Sequence, residues 1–501
     1  MAGAGSTVTL SELESHLWES ANILRGPVDA ADFKTYIFPL LFFKRISDVY
    51  SEELSEALTV SDGDAEYAKF PEFHRFVLPE GALWSDVRDR PANVGQALQR
   101  AFREIEQANE KTLYGVFGDA QWANKERLSD ELLRDLLDHF SRIPLGNKAL
   151  DSDILGQAYE YLIKKFADQT NKKAGEFYTT RSVVRLMVDI LDPKAGETVY
   201  DPTCGTGGML LEAVNHVRRN KGDIKTLFGK LFGQEKNLTT SGIARVNLFL
   251  HGIEDFQVVR EDTLRHPAFF DGDKLATFDC VIANPPFSLK KWGEEVWEND
   301  PFGRNFAGMP PAKSGDYAWV QHMIKSMNPR TGRMAVVLPH GALFRMAAEG
   351  RIRRKIIDMD ILDAVIGLGP NLFYGTGLAA CILVFRMRRK SERRNRLLII
   401  DASKQFKRGR NQNTLEPEHV EHIFGLYRDY KDVPGEAKVA TLDEVAANDH
   451  NLNIPLYVEP AVEEETVTVE VALANLKKVY TDAYAAEGRL TALLKKENLL
   501  P

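Results

Sequence analysis

Residues 278–283 form a short apolar run that ends in Asn284-Pro285-Pro286-Phe287, and an earlier run, 198–200, ends in the glycine-rich turn Asp201-Pro-Thr-Cys-Gly-Thr-Gly-Gly208. Two strand-like segments that each break into a ligand-type turn restrict the fold more than any other feature of the chain. Such turns belong at the carboxyl edge of a wound sheet. The Asn-Pro-Pro-aromatic turn offers hydrogen-bond acceptors and a stacking ring to a planar amine. The upstream glycines let backbone approach a nucleoside-containing cofactor. Together they point to methyl transfer onto an amino group of a base.

The remaining pattern agrees with a wound sheet. Further strand candidates are 231–235, 256–259, 333–338, 362–367, 379–385 and 397–401, with helical stretches between the earlier ones. This alternation predicts an α/β fold, a doubly wound and mainly parallel sheet. The first 150 residues instead read as helices. Ser11-Glu-Leu-Glu14 has capping-box spacing and predicts a helix through Leu24, a second begins near Asp29, and 94–107 and 128–141 show three- and four-residue apolar spacing. The expected organisation is a helical domain 1–150, a catalytic domain 151–403, an irregular connecting region 404–468 and a C-terminal helix 469–501. In that last helix Leu473, Leu476, Tyr480, Ala483, Leu490 and Leu494 form a seam, interrupted at Glu487, that suits another helix of the same chain or of a partner.

A chain of 501 residues accommodates two or three domains. Its net charge of -8 means that nucleic-acid binding needs local basic patches or a partner that carries the duplex. The runs 351–355 and 386–396 are the candidate phosphate contacts, although solvated faces and strand connections produce such runs too. Cys204, Cys280 and Cys381 lack CxxC spacing, which argues against a metal site and for a reducing compartment. The apolar run 36–43 contains Pro39 and is far shorter than the roughly 20 residues of a membrane span. With no signal-peptide pattern at the start, the chain reads as soluble and cytoplasmic.

Gly205, Gly207 and Gly208, around Thr206, permit positive φ, and the helix that follows presents free N–H groups to an anion such as a methionine carboxylate. Asp201 closes the strand before them. Dinucleotide sites use related architecture, but the spacing here is not GxGxxG. Glu235 ends the next strand, placed to accept from both ribose hydroxyls. After the third strand Asp262 is either an acceptor for an adenine amino group or a surface acid. Upstream, Gly175-Glu-Phe-Tyr-Thr-Thr-Arg181 opens an amphipathic helix. Thr179 and Thr180 can cap it, and with Phe177 and Tyr178 they can also line the methionine end of a cofactor.

Methylating an aromatic amine is difficult because its lone pair is delocalised into the ring. The Asn284 side-chain oxygen and the Pro285 carbonyl can each accept one amino hydrogen, supporting the positive charge that develops on nitrogen. Pro285 and Pro286 lock the turn. Phe287 gives a face for a base rotated out of a duplex. No general base or metal is required.

These residues resemble the modification (HsdM-like) subunit of type I restriction–modification systems. The resemblance extends over Ile23-Leu-Arg-Gly26, Leu40-Leu-Phe-Phe-Lys44, Gly315-Asp-Tyr-Ala-Trp319, Val337-Leu-Pro-His-Gly341 and Asn371-Leu-Phe-Tyr-Gly-Thr376, so it covers most of the chain to about Asp401. It implies an N6-adenine DNA methyltransferase using S-adenosylmethionine. It further implies double-stranded DNA, a specificity subunit, a second copy of this chain in a two-to-one complex and a motor-nuclease subunit as partners, and no membrane. Carried over by position, Glu176, Phe177, Tyr178, Thr179, Thr180, Arg181, Gly205 to Gly208 and Glu235 would contact the cofactor. Asn284, Pro285, Pro286 and Phe287 would hold the adenine. Thr180 and Gly369 stand where the family usually and often, respectively, has proline.

Gly308-Met-Pro-Pro-Ala-Lys-Ser314 lacks the second glycine and the spacing of an ATPase loop, so translocation must reside elsewhere. Two other readings compete: methylation of a protein glutamine amide, and a non-catalytic scaffold in a DNA complex. The motif order and the large helical region favour the DNA enzyme, and the intact Asn284 and glycines speak against a scaffold.

Overall fold

The computed structural model describes residues 8–170, 179–253, 255–410, 412–459, 469–497 and 499. Its strands are β1 (Val199–Asp201), β2 (Leu231–Glu235), β3 (Gln257–Arg260), β4 (Phe270–Asp271), β5 (Lys274–Leu275), β6 (Cys280–Ala283), β7 (Arg333–Pro339), β8 (Leu362–Leu368), β9 (Ala380–Arg386), β10 (Arg396–Ala402) and β11 (Ala437–Thr441). Every strand expected from the sequence is present, with ends displaced by two residues at most. Apart from the β4–β5 hairpin, all strands join one nine-stranded sheet in the order β11-β10-β8-β9-β7-β6-β1-β2-β3. Pairing is parallel throughout β7-β6-β1-β2-β3 and between β8 and β10, whereas β9 and β11 run against their neighbours.

Strand order reverses at β1, whose neighbours are β2 on one side and β6 on the other. Helices that cross over from β1 and from β6 therefore leave in opposite directions, which opens a crevice at the carboxyl ends of these two strands. The register Val199↔Cys280 and Tyr200↔Val281 sets the glycine turn beside the Asn-Pro-Pro-Phe turn.

The segment expected to be an irregular connection is largely ordered. Helix Pro417–Asp429 lays Val420, Ile423, Leu426 and Tyr427 into the sheet core, and β11 extends the sheet edge. The first compact unit accordingly runs to Val458. Local sequence understates β11 because Ala437-Lys-Val-Ala-Thr441 has little strand propensity; the open edge of β10 supplies its pairing partners.

In the N-terminal region helices Leu10–Ile23, Phe33–Val60, Val94–Ala108 and Asp130–Phe140 surround an aromatic-rich core. The first helix uses a capping box two residues earlier than expected. Thr9 Oγ1 accepts from Glu12 N at 3.3 Å and Glu12 Oε2 accepts from Thr9 N at 2.9 Å. Helix Ser152–Thr170 also belongs to this core, through Leu155, Tyr159, Leu162 and Phe166. Helix Leu238–Leu250 serves both cores: Ala244 and Leu248 face the sheet, Ile243, Val246 and Phe249 the helical region. A helix apolar on all sides is buried on all sides.

The second unit, residues 459–501, contains helix Val469–Lys496, whose seam residues Leu473, Leu476, Tyr480 and Leu490 are exposed. Among the described residues no helix is long and apolar enough to cross a membrane.

Candidate active site

Asp201 closes β1 with its side chain buried, and its Oδ1 accepts from Thr203 N at 2.9 Å. Burial, with the Glu235 carboxylate adding to it, pushes the Asp201 carboxyl up to about 8 despite the Thr203 bond. Gly205 and Gly207 adopt left-handed φ of 53° and 79°, which a side chain would strain. Gly208 departs from the expectation: it is the first residue of helix Gly208–Arg219, and its lack of a Cβ leaves open space. Glu235, at the end of β2, accepts from Gly205 N at 3.2 Å and Asn237 N at 2.8 Å, so it braces the turn.

Asn284 leaves the end of β6 with its amide fixed. Nδ2 donates to Thr179 Oγ1 at 3.0 Å across 105 residues of sequence, while Oδ1 is buried and has no hydrogen-bond partner among the described residues. Pro285 is buried and Pro286 exposed. Phe287 is half-buried and meets Phe373 edge to face at a centroid distance of 5.9 Å. Thr180 does not cap its helix with its side chain; its hydroxyl donates to Leu372 O at 2.7 Å. The 371–376 motif is thereby tied beside the Asn-Pro-Pro-Phe turn.

One supporting residue carried no assigned role in the sequence. Asp316 is buried, and its Oδ1 accepts from Ser288 N at 2.7 Å, immediately after Phe287. Arg345 pairs with both Asp316 and Glu349, and Ser314 Oγ donates to Glu349 at 2.8 Å. The Gly315-Asp-Tyr-Ala-Trp motif contained the signal, but nothing local reveals that its acid reaches back to the turn.

A cleft lies over the glycine turn and Asn284. It brings together Thr179, Arg181, Asp201, Gly205, Thr206, Gly208 and Asn284. Glu160, Glu212, Asn215 and Asn247 also line it, and sequence reading missed all four. Thr203 Oγ1, Asn247 Oδ1 and Asn284 Oδ1 are buried in its walls without partners among the described residues. Buried polar atoms are nearly always paired, so three around one cleft fit a polar ligand. Glu235 and Asp262 lie outside this lining; Asp262 accepts from Lys236 Nζ at 2.8 Å and Arg265 N at 3.3 Å. Glu176, Phe177 and Tyr178 lie outside the described residues.

Comparison with known proteins decides the family. The N-6 DNA Methylase model matches residues 150–466, and the HsdM N-terminal domain model matches residues 13–140. The chain belongs to the N-6 DNA methylase family. It is similar to the type I restriction enzyme MjaVII methylase subunit of Methanocaldococcus jannaschii, at 31% identity over 94% of this chain and 82% of that one. The HindI methylase subunit of Haemophilus influenzae is also 31% identical, over 84% of this chain and 94% of its own length. A type I restriction–modification methyltransferase subunit from Streptococcus thermophilus superposes with a TM-score of 0.75 at 31% identity, covering 90% of this chain and all of the other.

This N-6 DNA methylase is therefore a DNA methyltransferase, and its candidate phosphate-binding runs need revision. Arg393, Arg389 and Arg386 converge on the fully buried Asp363 at 3.0, 3.2 and 3.6 Å. Arg353 is also buried, donating to His450 O at 2.7 Å and Arg345 O at 2.9 Å. These cations neutralise or tie down the methylase's own chain, which their sequence clustering could not distinguish from a DNA-facing patch. Arg351, Arg354, Lys355, Arg388 and Arg394 remain exposed.

Proposed function

We propose that the chain is the modification subunit of a type I restriction–modification complex and methylates N6 of an adenine rotated out of double-stranded DNA, with S-adenosylmethionine as donor. The observation that carries this reading is the unpartnered Asn284 Oδ1, on a residue at the end of β6 that lines the same cleft as the glycine turn of β1. When bound, S-adenosylmethionine supplies a methyl group made electrophilic by its sulfonium.

The chain's own residues do the rest. Thr179 Oγ1 accepts from Asn284 Nδ2, which leaves Oδ1 for the reacting amine. Oδ1 and the Pro285 carbonyl each accept one amino hydrogen and stabilise positive charge as it grows on nitrogen. Phe287, backed by Phe373, offers its face to the base, a contact of the kind that contributes about 1–3 kcal/mol. Asp316 holds Ser288 and thereby the end of the turn. On the cofactor side, the N-terminus of helix Gly208–Arg219 attracts a carboxylate, Glu235 takes ribose hydroxyls, and Asp262 is the proposed acceptor for the adenine amino group.

Target choice is assigned to a specificity subunit, joined by two copies of this chain, with a motor-nuclease subunit completing the assembly in the cytoplasm. The exposed seam of helix Val469–Lys496 is the proposed contact with the specificity subunit. The test is transfer of labelled methyl from S-adenosylmethionine to DNA, with and without the specificity subunit, followed by nucleoside analysis. Label in N6-methyladenine is expected; label in cytosine or in protein glutamine refutes the assignment.

A further inference from the structure

Strand β7 runs parallel to β6 and ends at the same edge of the sheet as Asn284. The loop that follows puts two large apolar side chains in solvent: Phe344 is 42% exposed and Met346 56%. Single exposed apolar residues are ordinary on protein surfaces. This pair differs in how firmly its backbone is held. Ala342 O accepts from Tyr317 Oη at 2.8 Å and from Arg353 Nη1 at 3.2 Å, Leu343 O from Leu452 N at 2.9 Å, and Arg345 O from Arg353 Nη1 at 2.9 Å. Arg345, between the two apolar residues, pairs with Asp316 and Glu349. Ala347 then takes a left-handed φ of 56° to open helix Ala347–Asp358, a conformation that alanine adopts at a cost. The loop is fixed with its two apolar side chains outside.

Asp316 joins this loop to the Asn-Pro-Pro-Phe turn. Its carboxylate accepts from Ser288 N at 2.7 Å and pairs with Arg345. One buried side chain thus spans the residue after Phe287 and the residue between Phe344 and Met346. Exposed cations border both segments. Lys290 and Lys291 follow the turn, in a stretch bonded to the one that carries Lys313 through Lys291 N and Ala312 O at 3.2 Å. Arg351 and Lys355 lie one turn apart, on one face of helix Ala347–Asp358. An apolar pair bordered by cations is complementary to a duplex, whose charged phosphates surround an apolar stack.

We infer that Phe344 and Met346 form a wedge that enters the base stack of double-stranded DNA and occupies the gap left when the target adenine rotates into the cleft. The inference rests on the reading of the reaction as methylation of a rotated-out adenine. Rotation bares the faces of the two neighbouring base pairs, and an apolar side chain that covers them lowers the cost of the rotated state. Phe344 suits the role because an aromatic ring stacks on any base. Met346 suits it because an unbranched thioether adapts to the space beside that ring. The bordering cations take the phosphates on either side and so set the register of the duplex. The wedge acts on the population of rotated adenine, not on the methyl-transfer step. Through Asp316, wedge and turn belong to one rigid frame.

Single-turnover methyl transfer by the full-length chain with its specificity subunit tests the wedge, on a duplex carrying the adenine that the complex modifies. Phe344→Ala combined with Met346→Ala lowers the rate by about tenfold or more when that adenine is paired with thymine. Opposite an abasic site, where the adenine is already unpaired, the same variant stays within about twofold of the unaltered complex. Phe344→Trp, which keeps a stacking face, retains the rate on the paired duplex. An equal deficit on both duplexes would show that the loop supports the active site and nothing more. An undiminished rate on the paired duplex would show that neither side chain enters the stack. Either result overturns the wedge. Absence of transfer to adenine by the unaltered complex would instead refute the adenine reading, and the wedge with it.

Discussion

Asn284→Ala separates catalysis from stability because the two Asn284 side-chain atoms have opposite standing in the fold. Nδ2 makes one bond, to Thr179 Oγ1, whose removal costs about 0.5–1.5 kcal/mol. Oδ1 is a buried acceptor with no partner, and deleting such an atom returns about 1–3 kcal/mol of desolvation penalty. The net change in unfolding free energy therefore lies between a loss of about 0.5 and a gain of about 2.5 kcal/mol. Thr179 is half-buried, so water can replace its lost partner. Methyl transfer, by contrast, loses an acceptor placed where charge develops, a deficit of about 10²–10³ in rate. Single-turnover transfer of labelled methyl, a urea melt and a cofactor titration on the same preparation provide the comparison. A loss of more than about 2 kcal/mol in stability, with cofactor binding lost alongside, would refute the argument by showing that Asn284 is structural. Transfer within tenfold of the unaltered protein would refute it equally. Asn284→Asp, which keeps two acceptors and lets Thr179 turn to donate, retains more activity than the alanine variant.

The raised Asp201 carboxyl makes the fold more stable where that group is neutral. It binds a proton up to about pH 8 when folded but only to about 3.9 when unfolded, so stability falls as pH rises through that window. Between pH 6 and 8 the loss is roughly 2 kcal/mol, and denaturant midpoints of Asp201→Asn without ligand should lack this component. Asp316→Ala frees Ser288 and lowers the transfer rate while cofactor affinity stays within about twofold. Asp316→Asn, which keeps an acceptor for Ser288 N, recovers part of that rate, and equal activity of the two variants would count against a positioning role. Asp363→Ala leaves three arginines around a buried hole and destabilises by about 3–5 kcal/mol in chemical denaturation. An unaltered midpoint would return the 386–396 run to candidacy for DNA contact.

What the sequence determined by itself is what depends on near neighbours. The strands are dense runs of β-branched and apolar residues, the glycine turn needs its two left-handed residues, and the Asn-Pro-Pro turn is stiffened by its own prolines. Even the misplaced first cap had the right chemistry two residues away, in Thr9 and Glu12. β11 is the contrasting case, since its alanines become a strand only against the edge of β10. Tertiary structure alone decided which charges are available. Arginines that cluster in sequence are drawn inward by Asp363, and Glu160, on a helix that shows no catalytic pattern, reaches the cleft. It also decided that Asn284 meets Thr179 across 105 residues and that Asp316 holds Ser288. The physical reason is range: propensity and turn chemistry act over a few residues, whereas pairing of buried polar groups is set by whichever surfaces the reversal of strand order at β1 brings together.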